Sequence, residues 1–216
     1  MRFSWFGVKI VTRTLAAPTW QIRPLGEDNV PATGGVLLAS THQSFLDPVL
    51  IATCLWREIH FMARSTLFEI PIFGRLIAAL NAFPIERDTR DVKGVKTAIE
   101  RLKAGNALLV FPEGTRTVDG RIGPMKSGVR LLVERTAVPV VPVLIDGAHK
   151  VWPRGRVLPG PRGRIDIVFG RPFNGVGVPD LAGRIRSEIF ALRKRLGHKS
   201  WPAEETVANV EPQTGA

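Results

Sequence analysis

Short apolar runs and stripes of apolar residues at helical spacing alternate along most of this chain. Residues 36–39, 60–63, 82–85, 107–111, 138–145 and 165–169 are compact, branched or aromatic runs that predict strands. Residues 48–56, 71–80, 90–103, 127–135 and 179–196 carry the three-to-four residue period of amphipathic helices. In the last of these Leu181, Ile185, Ile189, Leu192 and Leu196 share one face. Pro71 is placed to open a helix and Gly105 to close one. Pro139 and Pro142 predict a strand that is interrupted. Pro18, Pro24, Gly26 and Pro31 predict an irregular connection ahead of the first strand. Strands that alternate with helices imply an α/β fold, with a largely parallel central sheet flanked by helices.

Residues 1–16 have a different character. On a helical wheel Arg2, Lys9 and Arg13 fall within about 40° of one another. Trp5 and Phe6 flank that strip and aliphatic residues fill the rest. This is the pattern of an amphipathic helix lying in a membrane interface, although packing on the protein's own core is the other reading. The chain therefore divides into a membrane-associating helix at 1–22, one catalytic-sized domain at 23–198, and a polar tail at 199–216 expected to be loosely held. No apolar run reaches the length of a spanning helix.

Composition narrows the function. The 216 residues include 30 basic and 19 acidic side chains, a net charge of +11, which favours an anionic partner. An anionic membrane surface and phosphorylated substrates fit this excess. Nucleic acid fits it less well, because tyrosine is absent and most phenylalanines lie in apolar contexts. The lone Cys54 allows no internal disulfide, and one cysteine with four scattered histidines argues against structural zinc.

Chemistry gathers after three predicted strands. His42 and Asp47 follow the first, five positions apart. On one helix they would stand about 140° apart. They meet only if His42 lies on the turn and Asp47 in the first turn of the next helix, where Ser44 and Asp47 resemble a capping box. The pair reads either as a proton acceptor with its orienting carboxylate or as a loop histidine beside a helix cap. Glu86 and Arg87 follow a later strand, and Glu113, Gly114, Thr115 and Arg116 another. Lys126 lies further on, as a solvated charge or a reach toward phosphate. Carboxyl ends of such strands converge on one crevice. There is no G-x-S-x-G nucleophile, and Met125 breaks a phosphate-loop pattern.

Four segments, in order, resemble the blocks of the glycerolipid acyltransferases, most closely the 1-acylglycerol-3-phosphate acyltransferase branch. They are H-Q-S-F-L-D from His42 to Asp47, F-P-I-E-R from Phe83 to Arg87, F-P-E-G-T-R from Phe111 to Arg116, and V-P-V-V-P-V from Val138 to Val143. The resemblance spans roughly residues 33–150. It implies acyl transfer, without a covalent acyl-enzyme, from acyl-CoA or acyl carrier protein to the free hydroxyl of a lysophospholipid such as lysophosphatidic acid. It also implies a peripheral or monotopic protein at the cytoplasmic face of the cell membrane, needing no cofactor beyond its acyl donor. By position His42 is the general base and Asp47 its partner. Arg87, Glu113 and Arg116 hold the acceptor's glycerol phosphate, with Thr115 beside them, and Gly114 allows close backbone approach. The last block packs against acyl chain or acceptor. Asn81 stands where the second block commonly opens with glycine, and Pro84 where it carries an aromatic or aliphatic residue. Another lipid acceptor, or a non-catalytic module binding anionic lipid or nucleic acid, is the competing expectation.

Overall fold

The computed structural model describes residues 7, 20–86, 91–156 and 158–197. The expected interfacial helix and the polar tail lie outside them, as does Arg87. Seven strands form one sheet: β1 (Trp20–Leu25), β2 (Val36–Ser40), β3 (Ile59–Arg64), β4 (Ala82–Ile85), β5 (Ala107–Val110), β6 (Val140–Asp146) and β7 (Gly163–Phe169). Their order across the sheet is β1-β7-β6-β2-β5-β3-β4. All neighbours run parallel except β6 and β7. The helices are α1 (Asp47–Cys54), α2 (Pro71–Ala79), α3 (Val92–Lys103), α4 (Gly128–Thr136), α5 (Ala148–Val151) and α6 (Leu181–Leu196).

Alternation along the central strands divides the core between the two faces of the sheet. Val36 and Leu38 of β2 join Leu50 and Ile51 of α1 on one side. Leu37 and Ala39 join Leu102 of α3, Val133 of α4 and Ile185 of α6 on the other. Every residue of β2, β5 and β6 is buried, as expected of strands covered on both faces.

Three expectations need correction. Residues 20–25 are not irregular: they form β1, an edge strand paired only with β7. Its exposure hid the apolar signal, and Pro24 is tolerated because an edge strand leaves one row of N–H groups unpaired. Pro142 does not interrupt β6, which runs unbroken through it. Its carbonyl accepts Gly170 N–H, and its missing N–H falls on the β7 side just beyond the last ladder pair, Val143 with Phe169. The Ser44–Asp47 capping box forms only by half: Asp47 Oδ2 accepts Ser44 N–H at 2.8 Å, but Ser44 Oγ accepts from Leu46 N–H at 3.4 Å and not from Asp47. Leu46 is the N-cap of α1 and makes no side-chain cap, while Asp47 turns its carboxylate back to the preceding turn.

Asp91 caps α3 by accepting Gly94 N–H at 2.8 Å, and its other oxygen accepts Glu86 N–H at 2.8 Å. These N–H donors, Gly94 first, hold its carboxyl below the usual range. One half-buried side chain thus ties the end of the second block to the next helix.

Candidate active site

β2, β3, β4, β5 and β6 run parallel to one another, so the segments that follow them all emerge at the same edge of the sheet. Each contributes to one cavity of about 900 Å³. His42 and Phe45 come from the loop after β2, Arg64 from the end of β3, and Glu86 from beyond β4. Gly114, Thr115 and Arg116 follow β5, and Trp152 and Arg154 follow β6. Deeper lining is apolar: Phe61, Ala63, Ile77, Leu80, Leu109 and Leu132. The cavity therefore joins a polar, cationic mouth to a hydrocarbon-like interior.

His42 and Asp47 meet. Nδ1 of the ring lies 2.8 Å from Asp47 Oδ2, and the same oxygen accepts the N–H groups of Gln43 at 2.6 Å and Ser44 at 2.8 Å. Asp47 is fully buried, and its other oxygen has no hydrogen-bond partner among the described residues. A carboxylate in this position accepts from Nδ1, and the neutral tautomer that makes this bond has its lone pair on Nε2. Phe111 stacks on the imidazole, ring centroids 3.9 Å apart and planes 16° from parallel. Ring orientation is thus set by a carboxylate on the edge and an aromatic on the face.

The structure gives Glu113 a different setting from the expected grip on the acceptor. It is 8% exposed. One oxygen accepts His42 N–H at 3.0 Å and the other Gly123 N–H at 2.9 Å. Burial pushes its carboxyl above the usual range, against the pull of those two N–H groups. His42 also accepts Thr117 N–H on its carbonyl at 2.8 Å, so its main chain is held at both polar atoms by the β5 loop. A side chain so committed braces the His42 backbone, and its negative charge is unsuited to gripping a phosphate, which is itself anionic.

The other expected residues gather at the mouth. Gly114 has φ 71°, and a Cβ there would lie 2.9 Å from Lys126 Cε and Nζ. The backbone angle favours glycine, and a Cβ there would displace the flexible end of the lysine. Arg116 places its guanidinium 5.6 Å from the centre of the Phe45 ring. Thr115 Oγ1 accepts from Arg154 Nη1 at 3.4 Å. Asn81 has φ 64°, so asparagine here adopts the left-handed backbone for which glycine is otherwise the default. Pro84 sits on β4, an edge strand, where proline does little harm.

Gln43, His149, Trp152 and Arg154 join the site without having stood among the candidates from sequence. Gln43 Oε1 accepts the main-chain N–H of His149 at 3.4 Å and lies 3.3 Å from its Nδ1. The signal that was present was topological: β6 is the neighbour of β2, so its following loop had to reach the same crevice.

The comparisons with known proteins agree with this architecture. A family model described as acyltransferase matches residues 21–146, and the chain belongs to that family. A chloroplastic 1-acyl-sn-glycerol-3-phosphate acyltransferase of Arabidopsis thaliana is 31% identical over 191 residues, covering 87% of this chain and 53% of that protein. The chain thus spans about half the length of that relative. The 1-acyl-sn-glycerol-3-phosphate acyltransferase of Bacillus subtilis is 28% identical over 178 residues, 81% of this chain and 86% of that one. The crystal structure of the 1-acyl-sn-glycerophosphate acyltransferase PlsC from Thermotoga maritima superposes with a TM-score of 0.76 at 25% identity, covering 91% of this chain and 81% of that one. Among the described residues no helix is long and apolar enough to cross a membrane.

Proposed function

We propose that this protein transfers a fatty acyl group from acyl-CoA or acyl carrier protein to the free sn-2 hydroxyl of lysophosphatidic acid, giving phosphatidic acid. The observation that carries the reading is the His42–Asp47 pair, 2.8 Å apart with the carboxylate fully buried, at the junction of the cationic mouth and the apolar interior. The names of the relatives point the same way. Nε2 of His42 takes the proton of the acceptor hydroxyl as its oxygen attacks the thioester carbon. The tetrahedral adduct collapses, the C–S bond breaks, and the imidazolium returns the proton to the departing thiolate. Asp47 holds the ring's tautomer and offsets its transient charge.

Arg116, Lys126 and, beyond the described residues, Arg87 are the proposed ligands of the acceptor's phosphate. The apolar interior takes the acyl chain. The protein acts at the cytoplasmic face of a membrane without spanning it. Support comes from the net charge of +11 and from α2, where Ile72 is 86% exposed while Phe73 and Ile77 line the cavity. A ridge of this kind beside the cavity suits an enzyme drawing amphipathic substrates from a bilayer.

The test is an acceptor and donor panel assayed with the purified chain: lysophosphatidic acid, zwitterionic lysophospholipids and glycerol phosphate, each with acyl-CoA and acyl carrier protein. Phosphatidic acid formed from lysophosphatidic acid at the highest kcat/KM is the expected result. Preference for another acceptor overturns the assignment of substrate.

A further inference from the structure

Arg154 lies outside residues 21–146, the stretch matched by the family model, and outside the four sequence blocks. It nevertheless lines the same cavity as His42. Its position is built, not incidental. Trp152 donates its indole N–H to Arg156 O at 2.8 Å, closing the turn that carries Arg154. The Trp152 ring lies 6.0 Å from that of Phe45, the ring over which Arg116 is placed. Arg154 Nη1 itself reaches Thr115 Oγ1, on the residue next to Arg116. Two guanidiniums, Arg116 from the loop after β5 and Arg154 from the loop after β6, therefore line the same cavity, Arg154 against the Thr115 hydroxyl and Arg116 over the Phe45 ring.

We infer that Arg154 is a further guanidinium on the acceptor's phosphate, beside Arg116, and that it makes the site select a phosphate monoester. The inference rests on the acyl-transfer reading above. A monoester phosphate has three terminal oxygens and a charge between about −1.5 and −2 at neutral pH, so it can engage a fork from each side. A phosphodiester headgroup has two terminal oxygens and a single charge, partly masked in a zwitterion, and gains less from the further arginine. Arg154 is exposed, so its replacement leaves the core untouched.

Direct binding tests this without turnover. Lysophosphatidate and lysophosphatidylcholine, each in neutral detergent micelles, and CoA are titrated into the full chain and into Arg154→Ala, Arg154→Lys and Arg162→Ala. The last removes the same charge from an exposed site away from the cavity lining. Wild type should prefer lysophosphatidate. Arg154→Ala should weaken that ligand roughly tenfold with lysophosphatidylcholine unchanged, Arg154→Lys should fall between, and Arg162→Ala should match wild type. Equal affinities for both lysolipids in wild type, or an Arg154→Ala no weaker than Arg162→Ala, overturns the inference. So does a loss of CoA affinity in place of lysophosphatidate affinity, which would move Arg154 to the donor's phosphates. Acyl transfer is measured separately. A chain that binds the monoester selectively but transfers nothing contradicts the proposed reaction and leaves this assignment standing.

Discussion

Glu113 Oε1 accepts the main-chain N–H of His42 at 3.0 Å, tying the loop after β5 to the residue that follows β2. Its second oxygen reaches Gly123, so one carboxylate fixes three segments around the cavity. Replacing it with glutamine leaves one acceptor oxygen and turns an NH₂ group toward one of those N–H donors. Losing a hydrogen bond to a charged, buried acceptor costs about 1.5–3 kcal/mol. Glu113→Gln should therefore lower both thermal stability and kcat, the latter by roughly tenfold or more, while KM for the acceptor stays within about twofold. Steady-state kinetics decides: a raised acceptor KM with kcat intact would return Glu113 to the role of phosphate or glycerol ligand.

Asp47→Asn separates orientation from mere packing. Asparagine is nearly isosteric and can still accept from Gln43 and Ser44 N–H, but it cannot offset an imidazolium. Its amide also allows the wrong ring tautomer. The acyl-transfer rate should fall by about two to four orders of magnitude with the fold retained. A loss of less than about threefold in an assay matched for folded protein would remove Asp47 from the chemistry.

His149 offers a stability test away from the reacting atoms. Burial, then the nearby Lys150 charge, hold its imidazole below the ordinary histidine value. The unfolded chain therefore binds that proton more tightly than the fold does. The stability tied to this group is complete above about pH 6.5 and is lost as pH falls through the folded value. His149→Gln should remove this part of the acid-side decline. Thermal melts of wild type and variant from about pH 8 to about pH 5 should converge as pH falls; parallel curves would contradict it.

Ala63 lines the apolar part of the cavity from β3 and is only partly buried. Ala63→Phe should shorten the preferred acyl chain, with the acceptor KM little changed, because the added ring fills the volume assigned to the chain's end. Competition between acyl-CoA donors of different lengths reads this directly. An unchanged length profile would place the acyl chain elsewhere.

The periodic parts of the chain were legible because their burial is extreme. β2, β5 and β6 are covered on both faces, and α3 and α6 carry regular stripes. β1 was not legible, since an edge strand with exposed positions and a proline lacks that contrast. For the site, the encounter of His42 with Asp47 followed from requiring a turn between them, but how Asp47 is held did not. A capping box at Ser44 and a backward-facing carboxylate at Asp47 use the same residue types. The setting of Glu113 was hidden for a related reason: charge suggests a ligand, and only coordinates reveal two backbone N–H partners already in place. Arg154 carried no local motif at all, and only the adjacency of β6 to β2 brings it to the cavity.

The central claim is that His42 takes the acceptor's proton in a single direct transfer. It is tested most directly by following thiol release from acyl-CoA with lysophosphatidic acid, for wild type and His42→Ala at equal folded concentration. The account predicts acceptor-dependent release in wild type and a fall of at least about a hundredfold in the variant. An undiminished rate in His42→Ala would contradict it.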